Sequence, residues 1–287
     1  MVRKGCLFGA LLLLVLIVAG TFIAFVEGRQ TPQGKASYVA LGSSFAAGAG
    51  LGPLAKGSPH LCARSINGYP QQLARMLKLQ LVDMSCGGAT TRHVLSGGQF
   101  FQGPQMRVVE SGTKLVTITV GGNDIGYIGD LSMLAARRGH TLFDWLSRQF
   151  WKGPKKNRDY QAVESELSGV IADIHERAPK ARIVVATYPT ILPSSGTCAR
   201  LQLSAEEVQE MRKVADRLAA VTRAAAKKGG ALLVDMNALG SAHNACSSDP
   251  WTRGWTNGGI APFHPTMAGA TATAKAIASA LKAHQQL

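Results

Sequence analysis

Four short stretches of this chain carry groups suited to acyl transfer: Gly42-Ser43-Ser44-Phe45, Ser85-Cys86-Gly87-Gly88, Gly121-Gly122-Asn123-Asp124 and Ala261-Pro262-Phe263-His264. Cleaving an ester through a covalent acyl intermediate needs a nucleophile, a base that removes its proton, and donors for the oxyanion that develops on the attacked carbonyl. Ser44 can attack and His264 can take the proton. The backbone N–H groups of Ser44 and Gly88, with the side-chain amide of Asn123, can donate to one oxygen. Glycine at 88 lets the backbone approach with no Cβ in the way, and an amide is a neutral donor that does not titrate. Each stretch also has a plainer reading. Gly42 can serve a turn with Ser43 or Ser44 as an N-cap, the other glycines can be turns or positive-φ loops, and a histidine before a helix can cap or pack. Their order along the chain, each after an apolar run, favours the chemistry.

Positioning four loops on one edge requires a sheet. From Ala36 onward short apolar runs alternate with helical stretches, which predicts an α/β domain with a mainly parallel sheet. The expected strands are Tyr38–Leu41, Leu79–Asp83, Leu115–Val120, Arg182–Thr187 and Ala231–Asp235. The expected helices are Tyr69–Leu77, Asp159–Ala178, Ser204–Lys228 and Thr266–Ala283, with Ser204 and Glu207 spaced as a capping box. In such sheets ligands bind outside the carboxyl ends of the strands, where these loops lie. A single three-layer domain over 36–287 is the economical arrangement.

The first 35 residues are a separate object. Arg3 and Lys4 precede a charge-free apolar run from Leu7 to Val26, closed by Glu27 and Arg29. A cleavable signal peptide has an apolar core of about 7–15 residues, whereas about 20 helical residues span a bilayer. The length therefore favours an uncleaved signal-anchor over a cleaved signal peptide, and Val26-Glu27-Gly28 resembles a cleavage site only loosely. Positive charge before the run keeps the N-terminus in the cytoplasm. Either way the domain is expected outside the cytoplasm, membrane-anchored or secreted. Cysteine usage agrees: Cys62, Cys86, Cys198 and Cys246 form an even set, for which three pairings exist and the two within-half pairings, Cys62 with Cys86 and Cys198 with Cys246, are favoured. Cys6 precedes the run without the small-residue context of a lipidated cysteine.

The formal net charge is +14. Such a field suits an anionic envelope or lipid surface, and no nucleic-acid fold signature accompanies it. Between Gly126 and Arg158 stand Arg137, Arg138, Arg148, Lys152, Lys155, Lys156 and Arg158 against Asp130 and Asp144. Interleaved with them are Leu131, Met133, Leu134, Leu142, Phe143, Trp145, Leu146, Phe150 and Trp151. This insert reads as a lid or interfacial patch, or as an ordinary helical insert with its aromatics turned inward. There is no H-E-x-x-H, no G-x-x-x-x-G-K and no C-x-x-C, so neither a metal nor a cofactor is expected.

With these residues in place the chain resembles an SGNH hydrolase of the GDSL type, in particular the secreted actinobacterial members, over about Tyr38 to Leu281. The tail supports the resemblance: Val234-Asp235, then Ser241-Ala242-His243-Asn244-Ala245-Cys246, Trp251 or Trp255, and Ala261-Pro262-Phe263-His264-Pro265. It implies a flavodoxin-like α/β/α sandwich with a five-stranded sheet. It also implies Ser44 rather than Ser43 as the nucleophile, Gly88 and Asn123 as oxyanion donors, and His264 as the base. Two departures matter. The family's Gly-Asp-Ser-Leu reads Gly42-Ser43-Ser44-Phe45, and the acid usually three residues before the histidine is Ala261. The resemblance implies the carbonyl of Ala261 as the group that orients His264, with Asp235 and Asp249 as rival acceptors and His243 as a rival base. The expected activity is a monomeric serine esterase acting on short or medium acyl esters, lipids among them. The alternatives are an O-acetyl esterase of envelope glycans, or a non-catalytic envelope-binding protein with a degenerate site.

Overall fold

A computed structural model describes residues 2–30, 36–139, 145, 149–255 and 259–284. Five parallel strands, β1 (Tyr38–Gly42), β2 (Leu81–Asp83), β3 (Leu115–Thr119), β4 (Arg182–Ala186) and β5 (Leu232–Val234), form one sheet in the order β2-β1-β3-β4-β5. This is the flavodoxin-like order, and its direction reverses between β1 and β3, where a crevice opens at the carboxyl ends. β1 and β3 are buried at every residue because both sheet faces are covered.

Period-two alternation divides those strands between two cores. Val39, Leu41, Val116, Ile118, Ile183 and Val185 face one side. There they meet Val94 of α4 (Thr91–Ser96), Leu167 and Ile171 of α6 (Tyr160–Arg177) and Ala225 of α7 (Ala205–Lys228). Tyr38, Ala40, Leu115, Val184 and Val234 face the other, against Leu73 of α3 (Tyr69–Leu77) and Ile277 and Leu281 of α9 (Met267–Ala283). The helix ends follow their caps. Asp159 accepts from the Ala162 N–H, Ser204 and Glu207 form the reciprocal capping box, and Thr266 accepts from the Gly269 N–H. The edge strands β2 and β5 are shorter than the apolar runs containing them: the Leu79 N–H turns back to the Ala74 carbonyl at 3.0 Å, and Gln80 meets β1 only where its carbonyl accepts from the Tyr38 N–H at 2.9 Å.

Two short helices, α2 (Ser44–Ala47) and α8 (Met236–Leu239), complete the turns after β1 and β5. A third core lies above the carboxyl edge, where Phe45, Ile125, Tyr188, Leu201 and Phe263 pack with α5 (Tyr127–Ala136). α5 occupies the start of the segment expected as a lid, and Leu131 and Leu134 are buried in this core. Several of the insert's cations are bound to the body: Arg158 pairs with buried Asp130 at 2.7 Å, Lys155 Nζ donates to the Asp124 carbonyl at 2.7 Å, and Arg138 pairs with Glu207 at 2.7 Å. Trp145 and Phe150 are exposed, whereas Leu142, Phe143, Asp144, Leu146 and Arg148 lie outside the described residues.

Cys62–Cys86 and Cys198–Cys246 are disulfide-bonded. The N-terminal helix α1 (Val2–Arg29) carries an apolar segment, Leu11–Arg29, long enough to cross a membrane and almost wholly exposed.

Candidate active site

The first loop is shaped by Gly42. Its φ is +136°, and a Cβ there would lie 2.2 Å from the Thr119 carbonyl oxygen of the neighbouring strand, so only glycine fits. The Gln105 side chain clamps this residue from both sides, accepting from its N–H at 2.8 Å and donating to its carbonyl at 3.0 Å. Chain direction is thereby set for α2. Ser43 turns inward, fully buried, and its hydroxyl shares a 2.8 Å hydrogen bond with Tyr188. The Tyr188 hydroxyl in turn accepts from the Gly122 N–H at 3.2 Å, and burial pushes its pKa up to about 12. Ser44 turns the other way and meets His264.

Ser44 Oγ lies 2.8 Å from His264 Nε2. On the far side of the ring, Nδ1 lies 2.8 Å from the carbonyl oxygen of Pro262. A carbonyl can only accept, so Nδ1 carries the proton and Nε2 presents its lone pair to the serine hydroxyl. Phe263, between the two, has φ +60° and is fully buried, its ring tilted over Trp255. That left-handed residue curls the chain so that the imidazole reaches back to the carbonyl two residues before it. The His264 carbonyl accepts from the Arg253 N–H at 2.9 Å, which holds the turn in place.

The acceptor is therefore Pro262, correcting the expectation of Ala261 by one residue. The rival acids are elsewhere. Asp235 accepts from Arg223 at 2.7 Å, from Thr187 at 3.0 Å and from the Ala238 N–H, so it braces β5 and α8. Asp249 sits by His243, whose Nδ1 is 2.8 Å from the Asp249 carbonyl oxygen and whose ring stacks on Trp251 at 4.2 Å. His243 takes no part in the Ser44 contact.

Burial lowers the pKa of His264, and the Arg253 guanidinium lowers it further, while the Pro262 hydrogen bond opposes both. The His264 ring is thus held neutral at pH values where an ordinary imidazole begins to protonate. Arg253 also donates to the Gly50 carbonyl at 2.9 Å. A Cβ placed on Gly50 would meet both the Ala261 methyl and the Arg253 guanidinium, so a cation stands beside the position where the family carries its acid.

The second and third loops are laced together. Asn123 Nδ2 donates to the Ala89 carbonyl at 2.8 Å, and Asp124 accepts from the Thr91 N–H at 3.0 Å and from its hydroxyl. The Cys86 N–H donates to the Gly42 carbonyl at 3.0 Å, tying the second loop to the first. The N–H groups of Ser44 and Gly88 have no hydrogen-bond partner among the described residues, and the Asn123 amide keeps a second hydrogen. These are the three donors that the sequence offered for an oxyanion, and none of their remaining N–H groups is taken up by another described residue. Sequence reasoning missed Tyr188, Arg253 and Gln105. Tyr188 stands directly after β4, as the other loop residues stand after their strands, and that was its only signal.

Comparison with known proteins assigns the chain. Residues 40–272 match the GDSL-like lipase/acylhydrolase family. The chain belongs to that family. Lipase 2 of Streptomyces coelicolor is 33% identical over 247 residues, 81% of each chain. Among solved structures, the extracellular lipase of Streptomyces rimosus superposes with a TM-score of 0.67 at 30% identity, covering 85% of this chain and 98% of that one. Phospholipase A1 of Streptomyces albidoflavus superposes with a TM-score of 0.69 at 27% identity, covering 86% and 99%. The hydrolase therefore acts on carboxylic esters, and the four loops at the carboxyl edge are where its family membership and its geometry coincide.

Proposed function

We propose that the hydrolase is an exported, membrane-anchored serine esterase working with a Ser44–His264 dyad. His264 Nε2 takes the hydroxyl proton as Ser44 attacks the ester carbonyl carbon, then delivers it to the leaving alcohol. The N–H groups of Ser44 and Gly88 and the amide of Asn123 hold the oxyanion, and water regenerates Ser44 with the histidine again as base. The Pro262 carbonyl keeps the imidazole in the required tautomer. It supplies no charge to the imidazolium, so the dyad is slower than one backed by a carboxylate.

The observation that carries this reading is the 2.8 Å contact on each side of the His264 ring, with Ser44 on one and a backbone acceptor on the other. A binding protein with a degenerate site would not need that alignment. Export is supported by two disulfides and by a cation-flanked apolar helix, and anchoring by the length of that helix. Short and medium acyl esters, lipids included, fit the hydrolase's relatives, which are lipases and a phospholipase A1. The test is turnover of a p-nitrophenyl ester chain-length series by the full chain in detergent, beside Ser44→Ala and His264→Ala. Loss of turnover in both variants is expected. Equal rates in all three proteins would end the enzymatic reading of these residues.

A further inference from the structure

The foot of α1 does not hang free of the domain. The Glu27 carboxylate accepts from the His60 N–H at 2.8 Å and lies 2.5 Å from His60 Nδ1. Two residues back, the Phe25 ring stands edge-to-face with Phe101 at 5.6 Å. Gly28 is buried against Phe100, where a Cβ would lie 2.1 Å from the carbonyl oxygen, so this close approach excludes any side chain.

Both contacted segments lead directly to the second loop. His60 opens the short turn His60–Cys62, and Cys62 is bonded to Cys86 and accepts the Gly87 N–H at 3.0 Å. Gln99, beside Phe100, donates to the Gly87 carbonyl at 2.7 Å. The helix foot is thus one residue contact away from the loop that presents Gly88. Leu61 and Phe101 are each 50% exposed and Phe100 is 37% exposed, so an apolar patch surrounds the place where the helix meets the domain. Arg29, exposed, sits over the Phe25 ring at 4.8 Å.

We infer that this patch lies on the outer surface of the bilayer that α1 crosses, so that the Ser44 mouth opens at the level of the lipid headgroups. The inference rests on the anchored reading above. If Leu11–Arg29 spans the hydrocarbon layer, residues 25–29 stand at its boundary, and the parts of the domain touching them stand there too. Exposed leucine and phenylalanine side chains enter the headgroup region readily, and Arg29 with the domain's positive charge suits anionic lipid. The occupant of the patch is therefore the bilayer itself.

The experiment uses the full chain with Cys6→Ser, reconstituted in nanodiscs of phosphatidylcholine and phosphatidylglycerol with brominated acyl chains. A bimane probe is attached at Phe101→Cys, at Phe100→Cys as a second position, or at Lys228→Cys on the opposite end of the sheet. Quenching at 101 and at 100 is expected to exceed that at 228 by about threefold or more, and Gly28→Leu, which breaks the close approach, is expected to remove the difference. Equal quenching at all three positions in discs that retain the intact chain would overturn the orientation while leaving the anchor. Persistence of the difference in Gly28→Leu would overturn the docked foot as its cause. Recovery of the intact full chain in the soluble fraction, outside the discs, would overturn the anchored reading and this one together.

Discussion

His243 and His264, twenty-one residues apart, each place Nδ1 2.8 Å from a backbone carbonyl: His264 on Pro262 and His243 on Asp249. Beyond that shared feature they diverge. His243 has a carboxylate oxygen of Asp249 at 3.4 Å and stacks flat on Trp251, in a loop tied by the Cys198–Cys246 bridge. His264 has no carboxylate in hydrogen-bond contact among the described residues, a cation nearby, and Ser44 on its second nitrogen. The histidine with the acid is thus not the one that meets Ser44. An acid nearby does not decide which ring meets the hydroxyl; a backbone carbonyl alone aims the lone pair of His264 at Ser44.

Exchanging the rings for amides tests this contrast most severely. His264→Gln is expected to lower kcat on p-nitrophenyl butyrate by about 10²–10⁴-fold, the range for losing a general base. His243→Gln is expected to change it less than about twofold, since that ring supports a loop. Comparable losses in both variants would erase the distinction. The next effect is on stability. Replacing Cys198 and Cys246 by serine opens a loop of 48 residues, worth about 4 kcal/mol in the chain-entropy account. A fall in Tm by thermal unfolding is expected, with kcat at low temperature largely kept, because the bridge serves the His243 loop. The smallest effect concerns charge. Arg253 depresses the His264 pKa, so Arg253→Gln should raise it, and because the proposed base acts when neutral the acid limb of kcat/KM should move to higher pH. An unmoved or downward-shifted limb would mean that the guanidinium does not reach the imidazole.

The central strands were legible because β1 and β3 are buried at every residue and β4 at all but its first, which keeps charged residues out of them apart from Arg182, and the strong caps at Asp159, Ser204 and Thr266 marked three helix starts. Ser44, Gly88 and Asn123 were picked out because each lies in the loop after a strand of a parallel sheet, whereas His264 stands shortly before α9 and was picked out by its type and order alone. The orienting acceptor was missed by one residue for a definite reason. A phenylalanine at φ +60° is not anticipated from its type, and without that turn the carbonyl of residue 261 is as good a guess as that of 262. Asp235 and Asp249 remained open for the opposite reason, since their actual partners, Arg223 and His243, are fixed by tertiary contacts that no local pattern records. α5 was hidden by the basic and aromatic interleaving around it, where the Asp130–Arg158 pair turned out to be internal.

The left-handed Phe263 has a further consequence for how the enzyme fails on warming. Such a conformation costs a bulky residue about 1–2 kcal/mol, and here it is sustained by the burial of its ring, by the Arg253 clamp and by the neighbouring Thr252–Pro265 bridge. Loosening of those few contacts lets residue 263 return to an ordinary backbone angle, which swings the imidazole off Ser44 while the sheet beneath stays intact. Heat inactivation should therefore run ahead of melting: ester turnover disappears several degrees below the loss of helical circular dichroism, and returns on cooling.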